Sequence, residues 1–259
     1  MSIVCIKIGG STIDTQGLLP ELGAGLHNLI EQKHRPIIIH GGGKSIARHL
    51  NRLNKELTFV EGHRVTDEET METVQMVLSG DVNKRIVNAL LSTGVAAFGM
   101  SGVDGGLFTA EKLIINDQDI GCVGAITGVN TAIIDLFHDA GMVPVISPVS
   151  RTIAGEIYNV NADLAASELA VALKADHLIF VSDVKGVIIN SEVKTEIRGA
   201  EIEELITEEY ITGGMVPKIR SAREAVYRGV YKIHICCWYG PETLTNELAI
   251  ESSRGTVIY

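Results

Sequence analysis

Lysines set beside glycine-rich turns can hold a phosphate or a carboxylate, and this chain offers such turns at three points. They read Lys7-Ile8-Gly9-Gly10-Ser11, Ile39-His40-Gly41-Gly42-Gly43-Lys44-Ser45 and Ser182-Asp183-Val184-Lys185-Gly186. Glycine lets backbone amides approach an anion closely, and a helix that follows adds its positive end. Each turn also follows an apolar run, so each has a plainer reading as the bend that ends a buried strand. The turn at His40 to Ser45 resembles a P-loop, but the spacing excludes it. A motif ending in Gly43-Lys44-Ser45 needs glycine at position 38, which is Ile38. A dinucleotide fingerprint starting at Gly41 fails as well, because its last glycine falls on Ile46. What remains is recurrence: parallel strands end along one edge, where open α/β proteins bind ligands.

Other residues with chemistry to offer must be weighed against plainer roles. Lys7 stands inside the apolar run Ile3 to Ile8, where a charge is costly, and this points to function. Lys218 follows Pro217 at a helix start, where solvated lysines are common. Asp163 taken alone is an acid favoured by a helix dipole. Arg64 reads equally as an exposed loop cation, His40 as a hydrogen-bonded packing residue, and Lys44 carries no assigned role.

The totals narrow the partners. The 259 residues are 46% hydrophobic, enough to bury a full core as one large α/β unit or two lobes. A net charge of −10 argues against nucleic acid and anionic membranes as partners, so an anionic substrate must be met by a few placed cations. The start of the chain shows no signal peptide and no run reaches the ~18 apolar residues of a membrane span, which leads to the expectation of a cytoplasmic protein. Cys5, Cys122, Cys236 and Cys237 form no Cys-x-x-Cys pair and are expected as unpaired thiols, with no metal site.

The elements that must position these residues are legible. Six runs, IVCIKI, RPIIIH, VAAFGM, MVPVIS, HLIFVS and KIHICC, are continuously apolar, as strands buried on both faces are. Helical spacing aligns Leu22, Leu26, Leu29 and Ile30, then Ile46, Leu50, Leu53 and Leu57, and later Ala165, Leu169 and Leu173. Thr66 and Glu69 have the spacing of a capping box, opening a helix with Met71, Val74, Val77 and Leu78 inward. Further helices are expected from Ala200 to Tyr210 and from Pro217 to a stop at Gly229. Residues 105–130 read as inserted hairpins. The fold class is α/β, a three-layer α/β/α sandwich with a largely parallel central sheet. A change of role is expected near residue 175, dividing 1–175 from 176–259, although no linker marks it.

Six segments stand in the order and spacing of a known family. They are Lys7 to Ser11, His40 to Gly43, Gly62 to Thr66, Asn159 to Asp163, Ser182 to Gly186 and Gly213 to Lys218. The chain resembles the amino acid kinase family end to end, and within it the branch that phosphorylates the side-chain carboxylate of N-acetyl-L-glutamate in arginine biosynthesis. The resemblance implies that Lys7 and Lys218 stabilise the transferring phosphoryl group and that Asp163 orients them. It implies backbone donors at Gly10, Gly42 and Gly43, substrate contacts at Gly42, Gly43, Arg64 and Asn159, and nucleotide contacts at Gly9, Gly10, Asp183, Gly186, Tyr210, Ile211 and Thr212. Residues 1–175 would form the acetylglutamate-binding and dimerisation lobe, and 176–259 the nucleotide lobe. ATP would bring Mg2+ with it. Lys44 departs from the family, where proline is frequent after the three glycines. Arginine-inhibited relatives carry an extra N-terminal helix that interlaces dimers into hexamers, so a homodimer insensitive to arginine is expected here. Two alternatives stay open: a kinase of a carrier-protein-bound aminoadipate, and a nucleotide-binding regulator without turnover.

Overall fold

The computed structural model describes residues 2–15, 17–249 and 253–259. In chain order it forms β1 (Ile3–Ile8), α1 (Gly10–Ile13), α2 (Leu18–Glu31), β2 (Arg35–His40), α3 (Gly43–Arg52) and a short ribbon of β3 (Phe59–Val60) and β4 (His63–Arg64). Next come α4 (Glu68–Gln75), a π-helical segment Met76–Val82, α5 (Asn83–Ser92), β5 (Ala97–Ser101), β6 (Phe108–Ile115), β7 (Gln118–Val129), α6 (Ala132–Asp139), β8 (Val143–Ser147), β9 (Val149–Arg151) and β10 (Ile157–Asn159). After α7 (Ala162–Ala172) follow β11 (His177–Ser182), a ribbon of β12 (Ile188–Ile189) and β13 (Glu192–Val193), β14 (Glu196–Ile197) and α8 (Ile202–Thr207). The chain finishes with α9 (Met215–Tyr227), β15 (Lys232–Cys237), α10 (Thr243–Leu248) and β16 (Thr256–Ile258).

Eight strands form the central sheet in the order β14-β16-β15-β11-β1-β2-β8-β5. Neighbours run parallel except β15 and β16. The continuous apolar runs now have their cause, because each strand feeds two cores. Cys5, Ile37, Ile39, Leu178, Phe180, Ile233 and Ile235 point to one face, among α6, α7, α8 and α9. Val4, Ile6, Ile8, Ile38, Ile179 and Val181 point to the other, among α2, α3, α4, α5 and α10. Each fully buried aliphatic side chain contributes about 1.5–3 kcal/mol. Helix α7 lies close on its face because Ala165, Ala166 and Ala170, all fully buried, add no bulk. Residues 1–175 supply β1, β2, β8 and β5, whereas 176–259 supply β11, β15, β16 and β14, and the β1–β11 pairing joins the two sets.

The inserted segment is more than a hairpin. Strands β6 and β7 pair through Asn116 and Asp117, both left-handed at φ 50° and 60°, the geometry a two-residue hairpin turn requires. With β9 and β10 they close into a small barrel.

Three local expectations change. The cap of α4 is Asp67, whose side chain accepts from the Thr70 amide, not Thr66. Thr66 is turned inward instead, its hydroxyl donating to the Arg64 carbonyl at 2.7 Å. Helix α3 ends at Arg52, so Leu53 leaves the apolar face and is exposed, while Leu57 lies beyond the helix and packs on the core from a loop. Ile30 sits at the rim of its helix face and is also exposed. Periodicity identifies the helix but not the residue at which its chain leaves the core.

Candidate active site

The three glycine turns lie side by side because β11, β1 and β2 are adjacent and parallel. Lys7 is two residues beyond Cys5 on β1 and so shares its face, toward α7 and α9. Asp163 is in the first turn of α7, where the Asn161 side chain caps the helix by accepting from the Asp163 amide at 2.8 Å. Lys218 comes from the first turn of α9. These three residues, far apart in sequence, meet at one carboxylate. Lys7 Nζ is 2.6 Å from Asp163 Oδ1, and Lys218 Nζ donates to Oδ2 at 2.8 Å. Lys218 Nζ also lies 5.1 Å from the centre of the Phe180 ring.

Charge in this cluster is finely opposed. Burial pushes the Lys7 ammonium below its ordinary pKa, and the Asp163 carboxylate works against that shift. Burial pushes Asp163 up, but the two lysines outweigh it and hold the carboxyl below its usual range. The cluster carries two cations and one anion, so it keeps a net positive charge for an anionic visitor.

A cleft of about 240 Å³ opens in front of Lys7 and Asp163, walled by Gly10, Gly42 and Gly43. A Cβ on Gly10 would sit 2.9 Å from Gly42 Cα and from the Gly43 nitrogen, so only glycine allows the two turns to meet. A Cβ on Gly42 would strike Leu78 at 2.5 Å. Arg64 reaches the same cleft from β4, with Nη2 donating to the Gly43 carbonyl at 3.3 Å and its guanidinium 4.7 Å from the Phe59 ring centre. Its Nη1 is buried without a partner, a donor left for a ligand. Asn159, at the end of β10, donates to Thr66 Oγ1 at 3.2 Å and lines the cleft. His40 is buried below the turn: Nδ1 meets the Gly41 carbonyl at 3.0 Å and Nε2 meets Asn83 Nδ2 at 3.1 Å. Burial takes its pKa down to about 4, so the ring is neutral and acts as packing with satisfied bonds.

Other expected residues are placed differently. Gly9 spends its amide on the Val181 carbonyl, holding β1 to β11. Asp183 lies exposed just past β11, and Gly186 has φ 148° against Thr256. Tyr210, Ile211 and Thr212 lead into α9, but the Ile211 side chain is buried in the core, leaving Tyr210 and Thr212 outward. Sequence reasoning missed Thr66, Asn161 and His63. Thr66 and Asn161 carry helix-cap signatures: Asn161 caps α7 and also lines the cleft, whereas Thr66 caps no helix and lies buried between the Arg64 carbonyl and the Asn159 side chain. His63 lines the cleft and a second hollow beside Lys218, from one residue before Arg64.

Comparison with known proteins adds an independent line. A model of the amino acid kinase family matches residues 2–237. The chain is 44% identical to an acetylglutamate kinase of Clostridium kluyveri over 263 residues, covering 99% of this chain and 92% of the relative. It is 39% identical to an acetylglutamate kinase of Carboxydothermus hydrogenoformans, covering 98% and 91%. Among solved structures, an N-acetylglutamate synthase from Neisseria gonorrhoeae complexed with coenzyme A and N-acetyl-glutamate matches with a TM-score of 0.88 at 25% identity, over 99% of this chain and 59% of that one.

Proposed function

The chain belongs to the amino acid kinase family, and on that premise we propose that it transfers the γ-phosphoryl group of ATP to the side-chain carboxylate of N-acetyl-L-glutamate. The products are N-acetyl-L-glutamyl 5-phosphate and ADP. One observation carries the reading: two buried lysines share a single carboxylate at the wall of a glycine-lined cleft that also holds Arg64 and Asn159.

The chemistry suits that lining. A side-chain carboxyl with a pKa near ~4.3 is already ionised at neutral pH, so the nucleophile needs no general base. The obstacle is charge, because a carboxylate must approach a polyanion while the transferring group spreads negative charge over its oxygens. Lys7 and Lys218 would take up that charge, each contributing about 2–4 kcal/mol in the manner of oxyanion donors. Asp163 holds the two ammonium groups apart and aimed, and without it they would repel. Amides of Gly10, Gly42 and Gly43 would complete the cradle. The unpartnered Arg64 Nη1 suits the α-carboxylate of the acid, and the Asn159 amide suits its acetylamino end. Asp183, the turn through Gly186 and the outward Tyr210 and Thr212 would serve the nucleotide, with Ile211 backing them from the core. Asp163 is committed to two lysines and is not a free metal ligand, so Mg2+ fits best as cargo of the nucleotide, held by phosphate oxygens and water. A division of labour between an acid-binding lobe to residue 175 and a nucleotide lobe beyond it, a homodimer, and a cytoplasmic role in arginine biosynthesis belong to the same proposal. Among the described residues no helix is long and apolar enough to cross a membrane.

The test is trapping of acyl phosphate by hydroxylamine with magnesium-ATP and a panel of N-acetylglutamate, glutamate, aspartate and carbamate. Hydroxamate from N-acetylglutamate alone is expected. Product from another acid would move Arg64 and Asn159 to a different ligand, and no product from any would overturn the reading.

A further inference from the structure

We propose that His40 is a positioning residue of the glycine cleft, held in one tautomer by Asn83 and Lys84 so that it turns the Gly42 amide toward the transferring phosphoryl group. This role rests on the kinase reading above, which needs aimed glycine amides and leaves open what aims them.

Glycine imposes little preference on the orientation of its peptides, so a turn of three glycines needs a constraint from outside. His40 supplies it. The Gly41 carbonyl meets His40 Nδ1 at 3.0 Å. A carbonyl only accepts, so Nδ1 carries the proton, and the ring, which burial keeps neutral, has its lone pair at Nε2. Asn83 Nδ2 donates to that lone pair at 3.1 Å. The same nitrogen donates to the carbonyls of Val145 at 2.9 Å and Met100 at 3.3 Å. Asn83 is fully buried, and its Oδ1 accepts from Lys84 Nζ at 3.0 Å, which excludes the flipped amide. Lys84 Nζ is itself fixed on the Gly99 carbonyl at 3.0 Å. Each bond therefore has one allowed direction, from the Lys84 ammonium through Asn83 and His40 to Gly41.

The effect on the cleft follows from peptide geometry. In a planar trans peptide the C=O and N–H bonds point in opposite directions. With the Gly41 carbonyl held by His40, the Gly42 N–H is turned the other way. That nitrogen lies 3.0 Å from where a Gly10 Cβ would stand, so it is at the junction of the two glycine turns. Among the described residues the Gly42 amide makes no hydrogen bond, whereas the Gly41 amide is spent on the Ile8 carbonyl. A donor left free at the wall of an anion-binding cleft is one a ligand can use.

Two substitutions separate aiming from packing. His40→Phe keeps a ring but removes the Nδ1 donor, and Asn83 retains two carbonyls for its two N–H groups. His40→Asn leaves a cavity but can place an amide N–H where Nδ1 stood. His40→Phe should lower kcat about tenfold to a hundredfold, with the KM for N-acetylglutamate within about threefold of the parent. His40→Asn should keep kcat within about threefold, although it melts at the lower temperature of the two. A purely structural role would reverse that ranking. On the parent protein, nitrogen NMR of labelled histidine should find His40 protonated at Nδ1 and not at Nε2. The Gly42 amide signal of glycine-labelled protein should shift with magnesium-ATP in the parent and in His40→Asn, and not in His40→Phe. Parent-like kcat in His40→Phe, losses that follow melting temperature, a proton at Nε2, or a Gly42 signal indifferent to magnesium-ATP in the parent would overturn the proposal. If the parent forms no hydroxamate yet the Gly42 signal behaves as expected, the assigned reaction falls and the positioning role stands. If hydroxamate forms and His40→Phe turns over as the parent does, the role falls and the reaction stands.

Discussion

The central sheet buries titratable groups at both of its ends, and the two ends treat them in opposite ways. Where β1 and β11 finish, Lys7, Asp163 and Lys218 are held as ions. Where β11 and β15 begin, His177 Nδ1 and His234 Nε2 share one hydrogen bond at 3.0 Å, with ring centres 5.2 Å apart. Burial drives His177 down to about 4 and His234 to about 3, so both are neutral at physiological pH. The difference is in partners. Two ammonium groups outweigh desolvation at Asp163, and that carboxylate opposes the downward push of burial on Lys7, whereas the histidines have each other and a nearby Lys232, with His34 also beside His177 and only Asp176 favouring charge on it. Neutralisation is the ordinary outcome of burial. On the proposed reading, the end of the sheet that keeps its charges buried is the one whose charges serve phosphoryl transfer.

The largest expected effect tests that contrast at its centre. Lys7→Ala should lower kcat by about 10² to 10³ while leaving the nucleotide Kd within a few-fold, as removal of a transition-state donor does. Asp163→Asn should lose turnover on a similar scale, because the two lysines would then repel across a neutral amide. Steady-state hydroxamate assays beside nucleotide titrations separate the two quantities. Turnover in Lys7→Ala equal to that of the parent would remove the cluster from the chemistry and make both ends of the sheet merely structural.

The histidine end should show its charge state in stability, not in catalysis. The folded pKa of each ring lies below the ordinary 6.5, so the unfolded state binds protons more readily. Stability from this pair is complete above pH 6.5 and is lost as pH falls toward 4 and then 3. Between pH 7 and 5 the pair should account for a loss of about 1–3 kcal/mol, His177 giving the smaller share because solvent screens it. Urea unfolding of the parent and of His177→Gln/His234→Gln at both pH values measures that share. A double variant with the same pH dependence as the parent would show that the histidines are not neutral in the fold.

The frame was more legible than the site it holds. Continuous apolar runs identify strands with two covered faces, and β1, β2, β11 and β15 begin and end where those runs do. Closing the barrel from β6, β7, β9 and β10 was not readable, since strand pairing across long loops leaves no periodic trace. Lys7 stood out because its neighbours are apolar. Lys218 and Asp163 did not, because each occupies the first turn of a helix, where lysine and aspartate have ordinary reasons to be. Only the family resemblance singled them out, and only the packing of α7 against α9 brings them onto one another. Thr66 and Asn161 were hidden for a related reason: short polar residues near helix starts look like caps, yet Asn161 lines the cleft as well and Thr66 bonds Arg64 and Asn159 from behind it, while His63 carries no local signal at all.

That ambiguity between cap and site supplies the smallest expected effect. Thr66 and Asp67 are neighbours with separate duties. Thr66 is fully buried and links the Arg64 carbonyl to Asn159, whereas the Asp67 side chain caps α4 from the surface. Asp67→Ala should therefore cost about 1 kcal/mol of stability, the usual loss for a removed N-cap, and change the KM for the acid by less than about twofold. Thermal melts and initial rates over a range of N-acetylglutamate concentrations would measure both. Should Asp67→Ala raise that KM tenfold with little loss of stability, the cap would have been holding Arg64 and Asn159 in place. The boundary between structural and substrate-binding carboxylates at this edge would then have to be drawn one residue further from the cleft.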